Sequence, residues 1–499
     1  MPVLHLLREN QELECARGAN LYAVLAARDL VDGPCGGKGV CGKCRVSVDG
    51  TPTLACTYTV VDDADVVTVS KDDIADIQVS GYHIDMRPDP AAEGAYGVAV
   101  DIGTTTVVVT LVELATGREL RSASCLNAQK AYGQDVITRI HFTMDDPRGC
   151  DILAGLIRDD LNRLIAATCT GEGVDPARVE RVVVSGNTTM IHLFAAVDPS
   201  SIARAPFIPT LRGPVTGSAE DFGLTSAPAA KVFCVPCIAA YVGGDIVSGV
   251  LACDLLAASG RTLFIDIGTN GEIVLADGGS LVACSCAAGP ALEGMNISCG
   301  MRASAGAIED VTMAGEVLSH RTIGGGEPIG ICGSGIAAAI GQGVASGAIG
   351  ANGRLSKDSP LVERRDGRLA LVLDRERGLC LTQGDVRQVQ LSKGAILAAI
   401  IALLRDRGLA YGDVDRVIVS GQFGRHLSAT SLVEAGFFPR EWQDRIVYTG
   451  NTSQSGAVLC LVSAGMRERS ARVGSHAHYI ELSVLDGYDR LFVDAMAFA

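Results

Sequence analysis

Apolar positions along this chain cluster in short runs bounded by glycine, and the runs recur in a fixed order. Gly97-Val98-Ala99-Val100-Asp101-Ile102 reads as a buried strand, Gly103-Thr104-Thr105 as a tight turn, and Thr106 to Thr110 as a second strand. The pattern returns at Thr262 to Leu275, where Asp266-Ile267-Gly268-Thr269-Asn270-Gly271-Glu272 holds the turn. A second matched pair lies later in each half: Arg181-Val182-Val183-Val184-Ser185-Gly186 and Arg416-Val417-Ile418-Val419-Ser420-Gly421. Asp101 and Gly186 are 85 positions apart and Asp266 and Gly421 are 155, so the second half carries about 70 extra residues, which predicts an inserted subdomain. A helix is expected from about Asp385 to Arg407, with Leu391, Ala395, Ala399 and Leu403 on one face and Gly408 at its end.

The first 85 residues follow a different rhythm. Arg45 to Gly50 alternates like a strand reaching a turn, Leu54-Ala55-Cys56 leads into Val66-Val67-Thr68-Val69, and an amphipathic segment runs from Asn20 to Leu30. Arg87 to Gly94 holds two prolines and a glycine, which is linker chemistry. The expected organisation is therefore a small domain over 1–85, a linker over 86–95, two related α/β subdomains over 96–260 and 261–467, and a C-terminal segment over 468–499 packed on them.

Composition narrows the class. At 499 residues and 48% hydrophobic the chain can bury several cores, and a net charge of −15 spread along it argues against nucleic acid. Its apolar runs are interrupted, as at Gly243-Gly244-Asp245, or too short, as at Ala395 to Leu404, so no membrane span is expected. Seventeen cysteines without a recognisable leader suggest a reducing, cytoplasmic setting. Six aspartates between Asp62 and Asp76 read as a solvated face, or as a docking patch for a basic redox partner.

Four of the cysteines are spaced as cluster ligands. Cys35, Cys41, Cys44 and Cys56 follow C-x5-C-x2-C-x11-C, in a loop whose glycines let the backbone wrap tightly, as a [2Fe-2S] cluster requires. Structural zinc usually presents two C-x2-C knuckles, and this four-cysteine stretch has one, with a C-x5-C arm before it. With the strand and helix order, the pattern resembles plant-type and adrenodoxin-type ferredoxin domains, which implies a β-grasp fold; the segment between Cys44 and Cys56 is shorter here. The pairs Cys234/Cys237 and Cys284/Cys286 lie in apolar runs and read as buried thiols, and His192 and His426 as packing or capping residues.

The repeated turns carry phosphate chemistry. Backbone N–H groups and hydroxyls at Gly103, Thr104, Thr105 and Thr106, and at Gly268, Thr269, Asn270 and Gly271, suit the two sides of a triphosphate, with Asp101 and Asp266 holding Mg2+ through water. Gly421, Gln422 and Gly424 suit the adenosine, where side chains would clash. Glu272 is placed to orient the attacking water or to be an exposed hairpin residue; Glu293 and Asn187 are weaker candidates. Gln390 and Lys393 either reach the base or ribose or face solvent. The motif order resembles the acetate and sugar kinase, heat-shock chaperone and actin superfamily, so a duplicated actin-like, ribonuclease H-like ATPase fold is implied, with ATP and Mg2+.

Gly289-Pro290-Ala291-Leu292-Glu293-Gly294, Ile331-Cys332-Gly333-Ser334-Gly335, Gly450-Asn451-Thr452-Ser453 and Tyr479-Ile480-Glu481-Leu482-Ser483 further resemble the ATP-dependent reductive activators of corrinoid proteins, over nearly the whole chain. Membership implies one-electron transfer to the Co(II) of a corrinoid protein in a methyltransferase system, regenerating Co(I), with electrons from a reduced ferredoxin or flavoprotein, and a homodimer. Longer members carry an extra small domain where this chain has its linker. Rival readings are a redox-sensing chaperone-like ATPase and a small-molecule kinase with an appended ferredoxin.

Overall fold

The structure, a computed structural model, describes residues 1–7, 11–28, 30–31, 44–68, 88–314, 317–365, 367–421 and 428–498. Two compact units emerge: Met1–Asp76 with Ala291–Val389, and Ile77–Pro290 with Gln390–Ala499.

The N-terminal sheet has the order β2-β1-β5-β3-β4, from β1 (Val3–Leu6), β2 (Gln11–Glu14), β3 (Arg45–Val48), β4 (Thr51–Leu54) and β5 (Ala64–Thr68). Strands β1 and β5 run parallel and the other neighbours antiparallel. Asp49 and Gly50, both at positive φ, turn β3 into β4, as the right-handed twist of a hairpin demands. Helix α1 (Leu21–Ala26) is capped by the Asn20 side chain and stops short of the expected Leu30; its Leu21 and Leu25 pack into the core with Leu4, Leu6, Val46 and Val66.

In the second unit, β6 (Tyr96–Ile102), β7 (Thr106–Glu113) and β8 (Glu119–Leu126) form a meander, followed by α2 (Val136–Asp145) and α3 (Gly149–Glu172). Strand β9 (Val179–Gly186) returns parallel to β6, then come α4 (Thr188–Phe194), β10 (Val215–Ser218), β11 (Lys231–Cys234) and α5 (Gly244–Ala252), giving the order β10-β11-β9-β6-β7-β8. The second half repeats the plan: β12 (Thr262–Ile267), β13 (Gly271–Asp277) and β14 (Ser280–Cys286) form its meander.

There the chain departs into the insertion: β15 (Ala307–Ala314), β16 (Val317–Thr322), β17 (Gly330–Ile331), α6 (Gly333–Ala345), β18 (Val362–Arg365), β19 (Arg368–Asp374) and β20 (Leu379–Thr382) build two three-stranded sheets. Helix α7 (Gln383–Asp406) leads back to β21 (Arg416–Ser420), parallel to β12. Then follow α8 (Ala429–Glu434), β22 (Ile446–Tyr448), α9 (Thr452–Val462), α10 (Ala464–His476), β23 (His478–Tyr479) and α11 (Tyr488–Ala495), and the sheet reads β22-β21-β12-β13-β14-β23. By length and composition α7 is apolar enough to cross a membrane, but Val386, Val389, Ile396, Ile400 and Leu403 on it are buried in the fold.

Strand β6 explains why the repeated runs are apolar throughout. Val98, Val100 and Ile102 face α3, while Ala99 faces the layer that holds α5 and α9. Each fully buried valine or isoleucine contributes about 1.5–3 kcal/mol. Helices α5 and α9 cross so closely that a Cβ on Gly456 would stand 2.3 Å from the Ser248 carbonyl oxygen.

Candidate functional site

The first turn is braced from behind. Gly103 N–H bonds Thr106 O at 2.9 Å, and a Cβ on Gly103 would stand 2.8 Å from that oxygen. Asn127 takes two of the turn's carbonyls, through Nδ2 to Gly103 O and through its own N–H to Thr105 O, both at 2.9 Å. Arg139 Nη2 takes the Thr104 carbonyl, and Asn187 Nδ2 reaches Thr104 Oγ1 at 3.0 Å. A trans peptide points its N–H opposite its carbonyl, so the amides of Thr104 and Thr105 face away from these partners, and neither has a backbone acceptor among the described residues. Two outward amides and a hydroxyl are donors of the kind from which anion nests are built.

Asp101, at the end of β6, accepts from Asn451 Nδ2 and Ser453 Oγ, each at 2.7 Å. Both donors come from the start of α9, where Asn451 is the N-cap, so the second half holds the first half's aspartate. Ser453 Oγ continues to Ser185 Oγ at 2.9 Å, and Ser185 to Ser248 Oγ at 2.8 Å. Burial raises the Asp101 pKa, and the Asn451 and Ser453 bonds oppose the rise.

In the second half the β-ladder puts Ser420, Asp266, Glu272 and Ser285 in one rung across four strands. Asp266 is pushed up to about 6 by burial first, against a bond from Ser420 and with the Asp101 charge adding to the rise. Glu272 stands directly opposite it and is raised well above the glutamate range by burial, then by Asp245 and Asp266. The residue is part-buried by area but its carboxyl group is enclosed, so it is not the exposed hairpin glutamate that a loop position allowed. Asp245, in the first turn of α5, rises to about 7 through burial and then the Asp266 charge. No basic side chain figures among the causes for these four acids, and among the described residues no three metal-binding side chains converge as a direct ligand set.

Gly268 N–H bonds Asn270 O at 2.9 Å to close the second turn over Thr269, and Gly271 opens β13. Gly421 adopts φ +98°, with Ile267 O 2.7 Å and Asp266 Oδ1 3.0 Å from where a Cβ would sit. Gln422, Gly424 and His426 lie outside the described residues, as do Cys35 and Cys41. Cys44 and Cys56 meet at the open end of the β3–β4 hairpin, where Ala55 N–H bonds Cys44 O at 2.7 Å and Cys56 N–H reaches Cys44 Sγ at 3.4 Å.

Gln390 and Lys393 face neither nucleotide nor solvent. Both are buried, and they hold the C-terminal helix: Gln390 Nε2 donates to Met496 O at 3.2 Å and Lys393 Nζ to Ala495 O at 2.8 Å and to Ala497 O. Asn187 caps α4 and His192 bridges Thr188 O and Leu211 N–H, so both are structural. Burial pushes the Cys234 and Cys237 thiols up to about 12 and about 11 and raises those of Cys284 and Cys286 as well, which keeps all four protonated near neutral pH. Sequence reasoning missed Asp245 and Arg139 and did not assign Asn451 or Ser453 a role. A signal existed for the last two: Asn187-Thr188-Thr189 is echoed by Asn451-Thr452-Ser453, and both asparagines cap helices.

Two duplicated sheets, each offering an aspartate and a glycine turn, with paired helices packed between them, define an ASKHA-type ATPase, and residues 260–499 match the family model described as the C-terminal domain of RACo, the ASKHA domain. Residues 96–258 match the RACo middle region. The chain is 32% identical over 418 residues to the corrinoid activation enzyme RamQ of Eubacterium limosum, covering 80% of this chain and 70% of that protein. It is 28% identical over 389 residues to the Co(II) methylated amine-specific corrinoid protein reductase of Methanosarcina barkeri, covering 72% and 68%. A solved reductive activator for corrinoid, iron-sulfur protein superposes with a TM-score of 0.74 at 28% identity, over 100% of this chain and 98% of that one. The chain belongs to the RACo family of reductive activators of corrinoid proteins.

Proposed function

We propose that this protein passes one electron from a [2Fe-2S] cluster to the Co(II) of a corrinoid protein, restoring Co(I) for methyl transfer, with ATP hydrolysis making the transfer favourable. The observation that carries the proposal is the meeting of Cys44 and Cys56 at one hairpin mouth in a chain that also bears the paired aspartate turns of an ASKHA ATPase. The N-terminal sheet order suits a β-grasp ferredoxin, and the Cys56 amide on Cys44 Sγ is the kind of bond that stabilises an anionic sulfur ligand. Cys35 and Cys41 complete the set from the adjoining segment. When bound, the cluster supplies a single low-potential electron, received from a reduced ferredoxin or flavoprotein.

Thr104, Thr105 and Thr106 receive phosphate oxygens on one side, and Thr269 and Asn270 on the other. Asp101 and Asp266 would hold Mg2+, which would supply the positive charge that their enclosed carboxyls and the phosphates need between them. Gly421, where a Cβ would crowd Ile267 O and Asp266 Oδ1, opens the segment assigned to adenosine by the sequence Gly421-Gln422-Phe423-Gly424. Glu272, fixed by Ser285 and opposite Asp266, orients the attacking water.

ATP is needed because a plant-type cluster sits near about −400 mV, and each further 59 mV uphill is about a tenfold loss in equilibrium. Corrinoid Co(II) is harder to reduce than such a cluster. The nucleotide helps only if its bound states differ in affinity for the Co(II) partner, so the ATPase acts on the acceptor. Mixing reduced protein, ATP and a Co(II) corrinoid protein should make the Co(I) absorption band grow, and Cys44→Ser should abolish it. Equal Co(I) without ATP would overturn the proposal.

A further inference from the structure

We infer that Arg139 is the positioning residue of the first phosphate turn, a buried fixed positive charge that one peptide plane presents to the phosphates of a nucleoside di- or triphosphate. The inference rests on the nucleotide reading of that turn and adds the group that makes it selective for phosphate.

Arg139 is fully buried, yet its hydrogen-bond partners are all neutral. Nε donates to Gly133 O at 2.9 Å, Nη1 to Gln129 Oε1 at 3.1 Å with Met190 Sδ beside it at 3.3 Å, and Nη2 to Thr104 O. Asp135, whose charge is felt by the guanidinium, spends Oδ1 on the Thr138 amide at 2.8 Å and hydroxyl at 3.0 Å as the cap of α2. Burial pulls the guanidinium down to about 10, still far above neutrality, so the charge persists. Its cradle is built: Gln129 is fixed by its own bond to Leu153 O at 2.9 Å, and Gly133 comes so close that a Cβ would stand 2.7 Å from Arg139 N.

A buried charge with no carboxylate hydrogen-bonded to it among the described residues is costly, and here it is held one peptide from the outward amides of the first turn. The Thr104 carbonyl and the Thr105 N–H belong to the same peptide group, and a cation bonded to the carbonyl polarises that group and strengthens the amide as a donor on the opposite side. The first turn thereby gains positive potential without a side chain that competes for space in the cleft. The acids Asp101, Asp245, Asp266 and Glu272 would otherwise repel the phosphates.

The test is calorimetric titration of the full-length protein with ADP, AMP and adenosine, and with ATP in the absence of Mg2+. Arg139→Gln should weaken ATP and ADP by about tenfold or more and leave adenosine unchanged, with a shallower salt dependence of ADP binding. Arg139→Lys, which keeps the charge on a fork that cannot make all the bonds, should recover part of the loss. Where Arg139→Gln fails to fold, Arg139→Lys is read by the same series and should show a smaller loss confined to ATP and ADP. Equal weakening of adenosine and ADP, or no weakening of ADP, overturns the assignment while the nucleotide reading stands. A wild-type protein that binds no nucleotide overturns both.

Discussion

The two aspartate hairpins begin with the same four residues, Asp-Ile-Gly-Thr, and are built to different ends. In the first, Ile102 pairs with Val107; in the second, Ile267 pairs with Gly271, so the first turn is one residue longer. That residue changes what faces the aspartate across the ladder: Asp101 stands opposite Val108, and Asp266 opposite Glu272. The first turn is braced by Asn127, Arg139 and Asn187, and its aspartate is saturated by Asn451 and Ser453. The second gathers mutually repelling acids instead. Duplication has thus yielded one turn braced from behind, whose aspartate is tied to the other half, and a second turn lined by acids.

Making the halves alike should be most damaging in one direction. Val108, 1% exposed, sits on its rung between Asp101 and Ser124, so Val108→Glu would bury a second carboxyl against Asp101 and should cost about 3–5 kcal/mol in urea unfolding. The reverse change is milder and functional. Glu272→Gln should lower ATP hydrolysis by about 100-fold with little change in nucleotide affinity, read as kcat against Kd; an unchanged rate would remove Glu272 from the chemistry.

The smallest effect is on pH. Asp245 and Asp266 have folded pKa values of about 7 and about 6 against an ordinary 3.8, so the folded protein holds protons that the unfolded chain has released. Their stabilising contribution is complete below the unfolded value and is lost as pH rises through the folded ones. The ligand-free protein should therefore lose stability between about pH 4 and pH 7, and Asp266→Asn should flatten that slope by more than one group's share, because the Asp266 charge also raises Asp245. A flattening by one group's share alone would mean that the acids do not interact.

Much of this architecture is legible in the sequence because strands covered on both faces must be apolar throughout, and the glycine turns between them leave a signature that repeats. The insertion was foreseen from spacing but its extent was not. Spacing reports a net difference: α7 stands where α3 stands in the first half, each the 24-residue helix before the returning parallel strand, while the second half lacks a counterpart of α2 and gains the two small sheets and α6. The one-residue difference between the hairpins escaped because identical openings invite identical registers. Arg139, Lys393 and Gln390 were illegible for a common reason: long polar side chains on helices normally reach water, and only tertiary packing shows that these end on buried carbonyls. Asp245 carried a faint mark, two glycines before a helix, that composition alone does not distinguish from a loop.

The contact of Gly456 with the Ser248 carbonyl sets the mechanics of the whole nucleotide domain. With backbone against backbone and no side chain between, α5 and α9 have no room to slide or draw nearer, and the remaining freedom is rotation about that point. Any relative motion of the two halves would then turn about that point like scissors on a rivet, with Asp101 and Asp266 on the blades, so that a small angle at the rivet would become a linear displacement between the two aspartates.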